Sequence, residues 1–302
     1  MEINMNILSI KNLKKKYGNK EVLKGLDLDV PEHSVFGFVG KNGAGKTTTM
    51  KAVLGLLAPD EGEVYVCDKK VSFGQTETNK YIGYLPDVPE FYSFMTSSEY
   101  LQFCGELCGL DEKIVKERSC KLLELVGLAG ETHRIGGFSR GMKQRLGIAQ
   151  ALLNSPRLLI CDEPTSALDP IGRKEILDIL YAAKEQTTII FSTHILSDVE
   201  RICTNVAFLN EGVIVLQGDI STVREMYSGK RYVVEMIFER DVDKLVKEFS
   251  ELVVVNRNIL VFQKGDEEFS RILRYMVENE MLFRKIERET PSLENIFVDV
   301  IK

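Results

Sequence analysis

The chain has 302 residues, 44% of them hydrophobic and 28% charged, which is long enough for one large domain and a smaller one and is the make-up of a globular protein. Its 39 Lys and Arg against 45 Asp and Glu leave a formal net charge of -6, and no basic block stands out that would track a phosphate backbone, so nucleic acid is set aside as the main partner. Apolar runs stop short of the about 18 residues needed to cross a bilayer, and Met1–Ile10 lacks the basic start and apolar run of a secretory signal, so a cytosolic chain without its own membrane span is expected.

From Ile7 to about Gly218, β-branched runs alternate with helical stretches. Strands are expected at Ile7–Asn12, Val22–Val30 and Ser34–Val39. The third runs into Gly40-Lys41-Asn42-Gly43-Ala44-Gly45-Lys46-Thr47, a full match to G-x-x-x-x-G-K-[ST] between a strand and a helix expected over Lys46–Leu56. Gly40, Gly43 and Gly45 let the backbone curl so that successive N–H groups point inward, and the helix N-terminus adds its positive end, which together make a cradle for a polyanion. Lys46 is placed to reach β- and γ-phosphates, Thr47 to set its hydroxyl on Mg²⁺, and Thr48 to add a phosphate hydrogen bond.

Strands follow at Val64–Cys67 and Tyr81–Leu85. The strand signal then vanishes between Asp87 and Gly137, where an aromatic opening, Phe91-Tyr92-Ser93-Phe94, leads into helices at Ser97–Cys108 and Lys113–Val126. With a helix at Gly141–Leu153, a helical subdomain of about 88–155 is inserted in the alternating pattern. Leu158–Asp162 is an apolar strand ending in two carboxylates. One acid for metal and one for water is the natural division: Asp162 holds Mg²⁺ through water, and Glu163 orients or deprotonates the water attacking the γ-phosphorus. A helix at Arg173–Lys184 and strands at Thr187–Ser192, Asn205–Leu209 and Val213–Gln217 close this part. Strands separated by helices predict a parallel sheet covered on both faces, with ligands at the carboxyl ends of its strands.

Beyond Gly218 a small α+β domain, 219–302, is expected. Its elements are a helix at Ser221–Tyr227, a strand at Tyr232–Phe238, a helix at Val242–Phe249, strands near Leu252–Val255 and Ile259–Gln263, a helix at Glu267–Glu280, a strand at Leu282–Ile286 and a helix after Pro291. The six cysteines form no C-x-x-C pair and have no His companions at ligand spacing, so neither a disulfide nor a metal site is expected among them.

These motifs, in this order, resemble the nucleotide-binding subunits of ATP-binding cassette (ABC) transporters over essentially Ile7 to Gly218. The resemblance implies an α/β fold of the P-loop NTPase class, an ABC-type ATPase core with a helical insertion, binding ATP and Mg²⁺. Phe138-Ser139-Arg140-Gly141-Met142-Lys143-Gln144-Arg145 resembles the family's signature motif, with Ser139 and Gly141 kept. Ser139 also reads as the N-cap of a helix whose end is a second anion-binding terminus. In the family, each ATP lies between the phosphate loop of one subunit and the signature helix of another, in a head-to-tail pair. Ser166-Ala167-Leu168-Asp169 resembles the loop that crosses this interface, and His194 the switch histidine at the γ-phosphate, while His33 and His133 stand outside any motif. Tyr17, 29 residues before Lys46, resembles the aromatic residue that stacks on adenine.

Two departures matter. Asp87 stands where the family typically has a glutamine touching Mg²⁺ and the attacking water. Asp keeps a hard oxygen, is one methylene shorter and adds negative charge, so contact with the metal through a bridging water is expected. Arg140 and Met142 replace the common glycine and glutamine of the signature, a variant similar to the branch serving exporters of drugs, antibiotics and peptides, as is the ending Thr290-Pro291-Ser292-Leu293-Glu294-Asn295-Ile296-Phe297. The resemblance thus implies an ATP-hydrolysing subunit that powers a permease on a separate chain from the cytoplasmic face of the membrane, as a homodimer or heterodimer. The Asp87–Gly137 insertion is its expected docking surface. A non-transport ABC ATPase of translation or DNA maintenance, an importer ATPase and a module that holds ATP without hydrolysing it are the alternatives.

Overall fold

Strands β1 (Asn6–Tyr17) and β2 (Lys20–Pro31) form an antiparallel hairpin in the computed structural model, turning at Gly18 with φ 58°. The structure describes residues 6–75, 77–227, 232–262, 266–288 and 291–301. Met1–Met5, Gln263 at the end of an expected strand and Thr290 of the C-terminal motif lie outside them. The described chain forms two compact units, one up to Ile220 and one from Ser221 to Val300.

In the first unit, β3 (Val35–Gly40) enters α1 (Lys46–Val53), which stops before the expected Leu56 because Gly55 adopts φ 68°, a left-handed conformation that ends a helix. β4 (Glu61–Val66) pairs with β1, and β5 (Lys69–Lys70) folds back on β4 through Cys67 and Asp68, both at positive φ as a tight hairpin turn requires. After β6 (Ile82–Leu85) come α2 (Ser97–Leu107), α3 (Glu112–Leu125) and α4 (Arg140–Leu152). Thr96 and Glu99 cap α2 reciprocally, and Asp111 caps α3. The chain continues through β7 (Leu158–Asp162), α5 (Pro170–Ala183), β8 (Thr188–Thr193), α6 (Leu196–Ile202), β9 (Asn205–Asn210) and β10 (Val213–Asp219). Helix α5 starts three residues earlier than expected, with Pro170 in its first turn behind the N-cap Asp169.

Among the described residues, six strands order as β10-β9-β3-β8-β7-β6, parallel except for β10. Strands β3, β7 and β8 are buried along their whole length, which is why they read as unbroken apolar runs. The expectation of one parallel sheet fails for β1, β2 and β4. They make a separate antiparallel sheet, ordered β2-β1-β4-β5, in which the short turns between β1 and β2 and between β4 and β5 can join neighbours only antiparallel. One apolar cluster joins Leu13, Leu23 and Leu26 of this sheet, Met50 of α1 and Phe38 and Ile160 of the parallel sheet.

In the second unit, α7 (Ile220–Tyr227) precedes β11 (Tyr232–Met236), α8 (Glu239–Glu248), β12 (Val253–Asn256), β13 (Ile259–Phe262), α9 (Asp266–Glu278), β14 (Phe283–Arg288) and α10 (Leu293–Ile301). The described strands order as β12-β13-β11-β14, all antiparallel. Val234, Met236 and Phe262 on one face of this sheet pack against Leu245, Phe269 and Met276 of α8 and α9.

Candidate functional site

The phosphate-binding sequence lies at the carboxyl end of β3, as a parallel sheet demands. Gly45 is the N-cap of α1 at φ 118°, and a Cβ there would sit 2.7 Å from Cδ2 of Leu23; Gly43 has φ 83°, and a Cβ at Gly40 would meet the Leu209 carbonyl at 2.7 Å. These positions need glycine for conformation or for close approach. No side chain caps α1, so its first N–H groups and positive end face the loop. Asn42 and Thr47 are exposed, Thr48 is half-buried, and Ala44 is buried in the apolar cluster.

Lys46 is buried, and its Nζ donates to the carbonyls of Gly40 at 2.6 Å and Lys41 at 3.4 Å and lies 3.1 Å from Oε1 of Glu163. Oε2 of Glu163 meets Nδ1 of His194 at 2.9 Å. Three residues far apart in sequence thus form one line, ammonium to carboxylate to imidazole, from the start of α1 and the ends of β7 and β8. Glu163 itself sits at φ 47°, held there by its N–H donating to the Ser192 carbonyl at 3.1 Å. Beside it, Thr47 Oγ1 donates to Oδ2 of Asp162 at 2.8 Å while Ser192 Oγ donates to Oδ1. A hydroxyl from the first turn of α1 and a buried carboxylate at the end of β7 supply the hard oxygens that Mg²⁺ takes. Burial and the Asp162 carboxylate together push the Tyr84 phenol up to about 12.

Asp87 has other company. Its Oδ1 accepts from Ser166 Oγ and lies 3.6 Å from Nη2 of Arg140, which in turn donates to Ser166 Oγ at 3.3 Å; the Asp87 carbonyl accepts from Gln144 Nε2 at 3.2 Å. These partners differ from the Thr47–Asp162 pair with which the expectation grouped it. The carboxylate binds the end of α4 to the loop after Glu163.

Ser139 is the N-cap of α4 and accepts from the Met142 N–H at 3.2 Å, with Gly141 half-buried at the first turn. Asp169 caps α5 by accepting from the Gly172 N–H at 2.7 Å. Tyr17 ends β1 with its ring half-exposed, and the Lys15 ammonium lies 5.8 Å from the ring centroid. Phe91 packs edge-on against Tyr100 at 5.0 Å, while Tyr92 and Phe94 stay about half exposed.

Sequence reasoning missed Asp198. This carboxylate on α6 is buried, accepts from Thr165 Oγ1 at 2.7 Å and pairs with Arg173 Nη2 at 2.7 Å. It ties the loop after Glu163, helix α5 and the helix after His194 to one another. The signal was present: Asp198 shares the buried face of α6 with Val199 and Ile202, where an apolar residue is the rule.

The ABC transporter family profile matches residues 23–166. The chain is 37% identical over 301 residues to the uncharacterized ABC transporter ATP-binding protein YxlF of Bacillus subtilis, covering 98% of this chain and 99% of that protein. It is 33% identical over 302 residues to the bacitracin transport ATP-binding protein BcrA of Bacillus licheniformis, covering 98% and 97%. Among solved structures, it is similar to an ATP-binding subunit of an ABC transporter, with a TM-score of 0.66 and 31% identity over 73% of this chain and 93% of that one. A dimeric post-hydrolysis state of the ATP-binding cassette MJ0796, bound to ADP and Pi, matches with a TM-score of 0.63 and 25% identity over 70% and 98%. Likeness that runs the length of its relatives, over a phosphate loop faced by a carboxylate and a histidine, makes this chain a member of the ABC transporter family, an ATP-binding subunit whose ATP hydrolysis powers transport.

Proposed function

We propose that Lys46, Glu163 and His194 carry the hydrolysis, and the observation that supports this most is their joining, through Glu163, into one line at the mouth of the phosphate loop. Lys46 exchanges its loop carbonyls for β- and γ-phosphate oxygens, and the N–H groups of Gly43, Ala44, Gly45 and Thr47 complete the cradle with Thr48. Glu163 takes a proton from water as its oxygen bonds to the γ-phosphorus and the bond to the bridging oxygen breaks, leaving ADP and phosphate. His194 donates to a γ-phosphate oxygen where negative charge gathers. A Mg²⁺ ion held by Thr47 and Asp162 neutralises phosphate charge when bound. Tyr17 offers its exposed ring to adenine, Asn42 lines the loop, and Ser139, Gly141 and Asp169 face the nucleotide of a second ATPase subunit, identical or different.

The Asp87–Gly137 insertion, with Tyr92 and Phe94 exposed, is the surface offered to a permease on a separate chain, and the subunit works at the cytoplasmic face of the membrane. No helix among the described residues is long and apolar enough to cross a bilayer. The bacitracin transport relatives favour export of a drug, antibiotic or peptide. Glu163→Gln keeps the shape and removes the base. It is expected to lower turnover by about 10²–10⁴-fold while ATP binding and nucleotide-driven dimerisation persist. Unchanged turnover in a purified ATPase assay would remove Glu163 from the chemistry.

A further inference from the structure

Gly105 of α2 lies so close to Val115 of α3 that a Cβ has no room between them. Beyond this contact the two helices line a cavity of about 420 Å³, a size within the range of small-ligand sites. Val115, Ser119 and Leu123 follow one another at intervals of four along α3, so they form one buried row, and all three line the cavity. Ser119 interrupts the apolar row. It is 7% exposed, and its Oγ is buried with no hydrogen-bond partner among the described residues, which is unfavourable unless something enters to meet it. A water beside it would find two aliphatic neighbours on the cavity floor rather than the about two to four polar partners that hold an ordered water. Gln102 of α2 lines the same cavity; its Nε2 donates to Oε1 of Glu106 at 3.3 Å and leaves its carbonyl oxygen open.

A second row on α3, Glu112, Lys116 and Cys120, is exposed and forms the cavity's rim. Within α3, Glu117 pairs with Lys121, whereas Glu112 and Lys116 have no ion-pair partner among the described residues. One turn apart, their Cβ atoms are separated by about 5–6 Å. Two extended residues span at most about 7 Å, so the charged ends of a dipeptide reach both heads, and those of a single amino acid do not. We propose that this cavity binds a short apolar peptide with free ends, the size of a dipeptide. Its ammonium meets Glu112 and its carboxylate meets Lys116. Its amide group pairs with Ser119 Oγ and the Gln102 carbonyl, and its aliphatic side chains cover Val115 and Leu123. Tyr92 and Phe94, the exposed aromatics of the surface offered to a permease, do not line the cavity, and neither does any residue proposed to bind nucleotide.

The test is titration calorimetry of the full-length protein with L-leucyl-L-leucine, paired with alkylation by N-ethylmaleimide read at each cysteine by mass spectrometry. Cys120 sits on the rim, and Cys108, exposed but outside the lining, is the internal control. The dipeptide is expected to bind with a Kd below about 1 mM and, at about ten times that Kd, to slow alkylation of Cys120 about tenfold while Cys108 reacts as before. Free leucine, and N-acetyl-leucyl-leucinamide with the same apolar body and no end charges, are each expected to bind at least about fivefold more weakly, as is the dipeptide to Lys116→Glu. Ser119→Val fills the floor and is expected to abolish binding; Lys116→Glu changes only the surface and stays informative if Ser119→Val fails to fold. No binding up to about 10 mM dipeptide, equal affinity for the blocked peptide, equal slowing at Cys108, or undiminished affinity in Lys116→Glu would overturn the proposal. ATP affinity of Lys116→Glu is expected to match the wild type, which keeps failure of this site distinct from failure of the hydrolytic reading.

Discussion

At the scale of single residues, Asp198 and Asp87 do similar work at different depths. Asp198 is buried with two partners, so Asp198→Asn removes the charge facing Arg173 in a poorly solvated place and should cost about 3 kcal/mol of unfolding free energy. The same change loosens the loop behind Glu163, so turnover should fall more than ATP affinity, a split that steady-state kinetics and nucleotide titration resolve. Asp87 and Arg140 are each about half exposed, and solvent screens them. A double-mutant cycle of Asp87→Asn and Arg140→Ala should return about 0.2–1 kcal/mol of coupling in denaturant unfolding. Neither tie was legible in the sequence. The phosphate loop was, because its groups are contiguous and act through backbone geometry, whereas Asp87 and Arg140 meet only after the 52 intervening positions have folded.

Elements show the same division. Strands buried on both faces, such as β7 and β8, announce themselves as apolar runs, and their expected bounds match to within a residue. Helix α6 is only seven residues long, too short for its periodicity to show, and β1 with β2 read as members of the parallel sheet because pairing partners leave no mark on a strand's own residues. Close packing of helices is likewise hidden. A Cβ on Gly105 of α2 would come within 2.4 Å of Cγ2 of Val115 on α3, so Gly105→Ala must push the two helices apart. Its expected cost is about 1–3 kcal/mol in urea unfolding, with ATP binding at the distant loop retained.

For the molecule as a whole, alkaline pH is the condition that bears on the core. Burial pushes the Cys161 and Cys203 thiols above their ordinary value of 9.0, so the unfolded chain sheds these protons first. Stability is therefore full below about pH 9 and declines above it, by about 1.4 kcal/mol per pH unit per thiol until the native thiols ionise. Urea midpoints at pH 8 and pH 10 should differ accordingly, and Cys161→Ala should flatten the difference; equal slopes would mean that the thiol ionises alike in both states.

Leu23 lies against Gly45, and the strand that carries it is hydrogen-bonded to the one ending at Tyr17. With Tyr17 as the platform for the base, the span from purine to terminal phosphate is gauged by a hairpin wedged into the core. Selectivity among nucleotides of different reach then becomes a property of packed hydrocarbon, and altering Leu23, which touches no nucleotide in this scheme, would recalibrate it.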